Sequence, residues 1–116
     1  KMDQVLISIM PKDFSFIVEK NLSSIFDTLD QLGIKMNLMQ NSALSFSLLV
    51  DHSKIDLNHV IEVLSENFIV KYNENLELVT VRHYDQATLD RVTENKDILL
   101  EQKTRETARL VMKDRG

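Results

Sequence analysis

The sequence predicts an α+β fold: a strand–helix–strand–strand–helix–strand unit, the ferredoxin-like βαββαβ arrangement, followed by a shortened β-α-β-β copy of itself. Three observations carry this. Two apolar stripes have the three-and-four spacing of helices packed on one face. Apolar, β-branched or alternating runs flank each stripe, as strands do. The hairpin pattern also recurs after a shift of 62 residues, which lays Met36 on Ile98, Leu38 on Leu100, Phe46 on Ala108, Leu48 on Leu110 and Val50 on Met112.

The first strand is "QVLISIM" (4–10), stopped by Pro11. After the loop "PKDFSF", the stripe Leu22, Ile25, Phe26, Leu29 and Leu32 predicts a helix, and Gly33 stands where a helix C-terminus favours a left-handed residue. "IKMNLM" places Ile34, Met36 and Leu38 on one face of a second strand, and "LSFSLLV" places Leu44, Phe46, Leu48 and Val50 on one face of a third. Both read as half-buried antiparallel strands. Between them the corner "QNSA" has neither Gly nor Pro, and is built from side chains that hydrogen-bond.

Asp56 is placed to cap a second helix with Leu57, Val60, Ile61 and Leu64 on its buried side. "FIVKY" (68–72) reads as a fourth strand, "NEN" as a turn, and "LELVTVRHY" (76–84) as a fifth strand. Asp85 caps a short helix in "DQATLDRVTENK", and "DILLEQKT" with "TARLVMK" forms a hairpin around Arg105 and Glu106. The expected division is therefore a complete first unit over 1–75 and a partial second unit over 76–116. The second copy lacks the second helix and fourth strand, which leaves a sheet edge open to the first copy, to a neighbouring segment or to a second molecule, and a homodimer is expected.

With 116 residues, no Cys and a net charge of −4, the chain can bury a core but can form neither a disulfide nor a thiolate metal site. No apolar run approaches the ~20 residues of a membrane helix, and no signal-peptide pattern opens the chain, so a cytoplasmic protein without a membrane partner is expected. The acidic balance and the absence of aromatic residues beside the basic run "EQKTRETARLVMKDR" argue against nucleic acid. His52, His59 and His83 lack a second ligand at metal spacing, and there is no glycine-rich phosphate loop and no nucleophile–base set. The chain carries no catalytic signature. Because it begins within a strand-like run, an excerpt of a longer protein is expected.

Binding is the alternative. The loop between the first strand and helix opens on a helix N-terminus, whose N–H groups suit a carboxylate. Ser15, Glu19, Lys20 and Asn21 are its polar handles, beside the "KMNLM" strand and its corner. On the residues alone, a surface loop with a self-satisfied turn accounts for these groups slightly better than a site does.

The hairpin "IKMNLMQNSALSFSLLVD" resembles that of the first ACT domain in aspartate kinases; "ENLELVTVRHYD" is similar to the strand entering their second ACT domain, and "ILLEQKTRETARLVM" to the C-terminal end of a bacterial subgroup. The resemblance implies a regulatory ACT pair in amino-acid biosynthesis, lysine biosynthesis among it, that binds an end-product amino acid, lysine or threonine, at a dimer interface. It implies control of a kinase domain absent from this chain; ATP and magnesium belong to that domain, and no cofactor is expected here. Carried over by position, effector contacts fall on Lys20, Asn21 and Leu22, on Lys35, Met36 and Asn37, and on Asn41 and Ser42. Against the family pattern, Asn37 stands where lysine-sensing relatives often have an acid, and the loop is longer and lacks the glycine expected near Lys20. Asn37→Asp is then expected to favour a cationic effector. The competing reading is a ligand-free structural dimerisation domain.

Overall fold

The computed structural model describes residues 1–115. The elements are β1 (Gln4–Pro11), α1 (Glu19–Gln31), β2 (Leu38–Asn41), β3 (Phe46–Asp51), a short 3₁₀ turn (His52–Lys54), α2 (Leu57–Ser65), β4 (Phe68–Arg82), α3 (Gln86–Val92), β5 (Lys96–Lys103) and β6 (Thr107–Asp114). They divide into two compact units. One is Val5–Glu74; the other joins Lys1–Gln4 to the chain from Asn75 onward.

In the Val5–Glu74 unit the strands follow the order β2-β3-β1-β4, that of a ferredoxin-like sheet. Its core gathers Ile7 and Ile9 of β1, Ile25 and Leu29 of α1, Phe46, Leu48 and Val50 of β3, and Val60 and Leu64 of α2. The helices obey their stripes. The C-terminus of α1 is closed as its glycine predicts: Gly33 takes φ +68°, its N–H donates to the Asp30 carbonyl (3.0 Å), and the Ile34 N–H donates to that of Leu29 (3.0 Å). This is the Schellman pattern, with Ile34 and Leu29 in the same apolar cluster. Asp56 caps α2 by accepting the His59 N–H (3.3 Å).

Two strand assignments change. Strand β3 is not half-buried: Leu49 is as fully buried as Leu48 and Val50, so both of its faces are covered and alternation loses its meaning. β2 begins at Leu38 rather than Ile34, and its register sets Leu38 opposite Leu49 and Met39 opposite Leu48. Ile34 and Met36 pack on the helix-side core before the strand starts. They and Leu38 therefore do not share one strand face; the chain bends at Asn37, whose N–H donates to the Leu49 carbonyl (2.7 Å).

"NEN" is not a turn either. β4 runs unbroken for 15 residues, and Asn75 alone takes a left-handed φ of +60° within it. Asn tolerates that region, so the composition of a turn and of a locally bent strand is the same.

In the second unit, β6 lies between β4 and β5, antiparallel to both, with Leu89, Ala108, Leu110 and Met112 as core. β4 ends at Arg82, leaving His83 and Tyr84 outside it. The repeat holds at the level of hydrogen bonds. In the first hairpin the Ser42 N–H donates to the Ser45 carbonyl (2.9 Å) and the Ser45 N–H to Ser42 Oγ (3.2 Å). In the second, the Thr104 N–H donates to the Thr107 carbonyl (2.8 Å) and the Thr107 N–H to Thr104 Oγ1 (3.2 Å). These pairs are 62 residues apart, as are the registers Leu38↔Leu49 and Leu100↔Val111. Asp85 caps α3, and the Thr88 N–H it accepts (2.7 Å) holds its carboxyl below the usual range.

The sheet edge read as open is met in part by the chain's own first residue. The Leu78 N–H donates to the Lys1 carbonyl (2.8 Å), and the Lys1 amino group donates to the Leu78 carbonyl (2.7 Å). The case for a dimer therefore does not rest on that edge.

Candidate functional site

The loop from β1 to α1 is anchored along its length. The Lys12 ammonium donates to the Glu66 carbonyl (2.9 Å), and the Phe14 N–H to the Pro11 carbonyl (3.1 Å). Asp13 accepts both the Ser15 hydroxyl (2.6 Å) and its N–H (3.1 Å), which lowers the Asp13 carboxyl below its usual range. The Ile17 N–H then donates to the Ala43 carbonyl (2.8 Å), fastening the loop to the β2–β3 corner. So the loop and corner that the sequence singles out do meet.

At this end stand Lys20, Asn21, Asn41 and Ser42. Lys20, Asn41 and Ser42 are exposed, and Asn21 is half-buried and accepts the Val18 N–H through Oδ1 (3.0 Å). Val18, at the N-cap, has no side-chain acceptor, in contrast to Asp56 and Asp85 at the other two helices. Leu22 turns inward onto the core. The corner's polarity also has a local cause: Ser42 and Ser45 supply the turn's own hydrogen bonds.

Lys35, Met36 and Asn37 lie at the opposite end. Asn37 and Asn41 bracket β2, four residues apart, or ~13 Å along a strand. Lys35 is exposed, Met36 packs on the core, and Asn37 Nδ2 donates to Asp51 Oδ1 (3.1 Å). The other Asp51 oxygen is 3.5 Å from Lys54 Nζ. One chain thus holds the predicted contacts in two groups, at the two ends of β2, and its described residues enclose no pocket. Nor do the described residues bring together three or more His, Asp or Glu side chains that could hold a metal, and no described helix is long and apolar enough to cross a membrane.

The pairing of Asn37 with Asp51 changes what Asn37→Asp is expected to do. The new carboxylate faces Asp51 across about 3 Å in place of an amide donor. Like charges raise one of the two pKa values above its unfolded value, so stability is retained at low pH and lost as pH rises through that raised value. The variant is expected to be about 1–3 kcal/mol less stable than wild type at pH 7, with the gap closing towards pH 3–4 as the pair binds a proton. Urea denaturation at the two pH values tests this; an equal gap at both would contradict it.

Sequence reasoning passed over the apolar side chains of the same loop. Phe14, Phe16 and Val18 are 75%, 68% and 54% exposed, and Leu44 of the corner 56%. Phe14 also takes a left-handed φ of +58°, unusual for a bulky residue. The signal was present in "PKDFSFIV", where two Phe residues lie outside every helical or strand stripe.

With this geometry established, solved structures provide the comparison. No family model matches the chain, and no curated protein sequence does. The aspartate kinase of Clostridium acetobutylicum is similar in structure over 97% of this chain and 29% of its own, with a TM-score of 0.77 and 18% identity. A C-terminal regulatory domain of aspartate kinase from Porphyromonas gingivalis is similar over 99% of this chain and 83% of its own (TM-score 0.74, 13% identity). E. coli aspartokinase III in complex with lysine and aspartate is similar over 96% and 28% (TM-score 0.70, 17% identity). The chain shares its α+β fold with these aspartate kinases and with that regulatory domain. It spans under a third of the full kinases' length.

Proposed function

We propose that this chain is the amino-acid-sensing regulatory region of a cytoplasmic aspartate kinase, and that a free amino acid from the pathway it controls binds between two copies. The shared fold supports the regulatory role. The lysine in the E. coli enzyme supports an amino acid as effector; lysine and threonine are the end products the sequence resemblance implies. ATP and magnesium, on this reading, serve a kinase domain outside this chain, and the chain itself catalyses nothing.

The single observation that carries the two-copy site is the split of its residues along β2. That strand stands at one end of the strand order. A second copy laid beside it antiparallel, about a two-fold axis near Met39, sets Asn37 of each chain beside Asn41 of the other. Lys35–Asn37 of one copy then close on Lys20, Asn21 and Ser42 of its partner. A carboxylate is favoured at Lys20 and the start of α1.

A ligand-free dimerisation domain is the second reading, favoured by the Asn37–Asp51 bond, which leaves that end of β2 already paired. Calorimetric titration separates the two. The sensor reading expects saturable heat from an amino acid at millimolar concentration or below; no heat from any of lysine, threonine, methionine or leucine would leave the structural reading in its place.

A further inference from the structure

We propose that the effector carries a neutral, apolar side chain, packed against Phe14 and Phe16, and that the site rejects lysine; this rests on the sensor reading above. Phe14, Phe16, Val18 and Leu44 are all exposed on the loop and the corner that the Ile17–Ala43 hydrogen bond joins. Single exposed apolar residues are ordinary, but four large ones on two joined segments mark a contact surface. The tethers of Lys12, Phe14, Asp13–Ser15 and Ile17 fix the loop beforehand, so little ordering entropy is lost when a ligand settles on it.

The charges select the same ligand. Each residue group holds an exposed lysine, Lys20 at the corner end and Lys35 at the other; Glu19 offsets one of them. The carboxylate beside Asn37 belongs to Asp51, and it is already met by Lys54 and the Asn37 amide. A ligand carboxylate therefore finds net positive charge, whereas a second ammonium group on the side chain meets that same positive balance, the exposed acid Glu19 at the corner end being shared with the adjacent Lys20. A methylene or more against the aromatic rings supplies the complementary preference, on the order of tenfold per group.

The test is calorimetry of the full chain against leucine, methionine, threonine and lysine, for wild type and for Phe14→Ala/Phe16→Ala. Leucine or methionine is expected to bind at least about tenfold more tightly than lysine. In the double variant that ratio is expected to fall by about tenfold, while circular dichroism stays unchanged because both side chains are exposed. Lys35→Glu is expected to raise lysine affinity several-fold. Lysine binding as tightly as leucine, or a leucine-to-lysine ratio unmoved by the double variant, overturns the proposal and leaves the sensor reading standing. Absence of binding by all four removes both.

Discussion

Phe46→Ala is expected to lower the stability of the chain by about 3–5 kcal/mol, a large share of what a domain of this size possesses. Phe46 is 1% exposed at the centre of the Val5–Glu74 core, and the Phe26 ring meets it edge-on, centroids 5.2 Å apart at 73°. Truncation loses the transfer free energy of the ring, leaves a cavity between α1 and β3, and ends an aromatic pair worth about 0.5–1.5 kcal/mol. Phe26→Ala removes the same pair from a residue still 38% exposed and is expected to cost well under half as much. Urea midpoints measure both. A loss below about 1 kcal/mol for Phe46→Ala would mean that this ring is not the centre of the core.

Met39→Lys is expected to weaken self-association by about a hundredfold or more while leaving the fold intact. The Met39 side chain is 53% exposed on β2, and the proposed two-fold axis passes beside it. Two lysines brought face to face repel, and the apolar contact is lost as well. Because the effector's contacts come from both copies, amino-acid binding is expected to fail in the same variant. Sedimentation velocity and calorimetry on one preparation check both outcomes. Retained binding by a monomeric Met39→Lys chain would place the whole site within a single copy.

Much of the fold was legible because its local signals agree. The α1 stripe, the glycine at its end and the two Asp caps each name one structure only, and the structure bears them out. The internal repeat was readable from side-chain parity, and it extends to the hydrogen bonds of Ser42–Ser45 and Thr104–Thr107. What misled was any signal with two physical meanings. Asn-Glu-Asn serves a turn or a bent strand, and the fate of Asn75 depends on the pairing of the strand around it. Alternation fails for β3, where Leu48 and Leu49 are both buried.

The candidate site was legible only by position. The sequence places Lys20, Asn21, Asn41 and Ser42 near one another, and the Ile17–Ala43 bond joins the two segments that carry them. It gives no sign that Asn37 sits at the far end of β2 and donates to Asp51, because that pairing depends on the register of two strands. Polar loop residues drew attention as handles, yet Ser15 is spent on Asp13 while the Phe residues beside it stay exposed. A loop's polar atoms are often consumed in shaping it.

The central claim is that an amino acid binds where two copies meet, and linkage makes it measurable. A ligand whose site is complete only in the dimer must tighten the dimer. Sedimentation equilibrium of the wild-type chain, at tens of micromolar protein as a rough working range, with and without saturating methionine, reads this directly. Methionine is expected to lower the dimer dissociation constant by about tenfold or more. A constant unchanged by bound methionine, or a chain that binds methionine and remains monomeric, would contradict it.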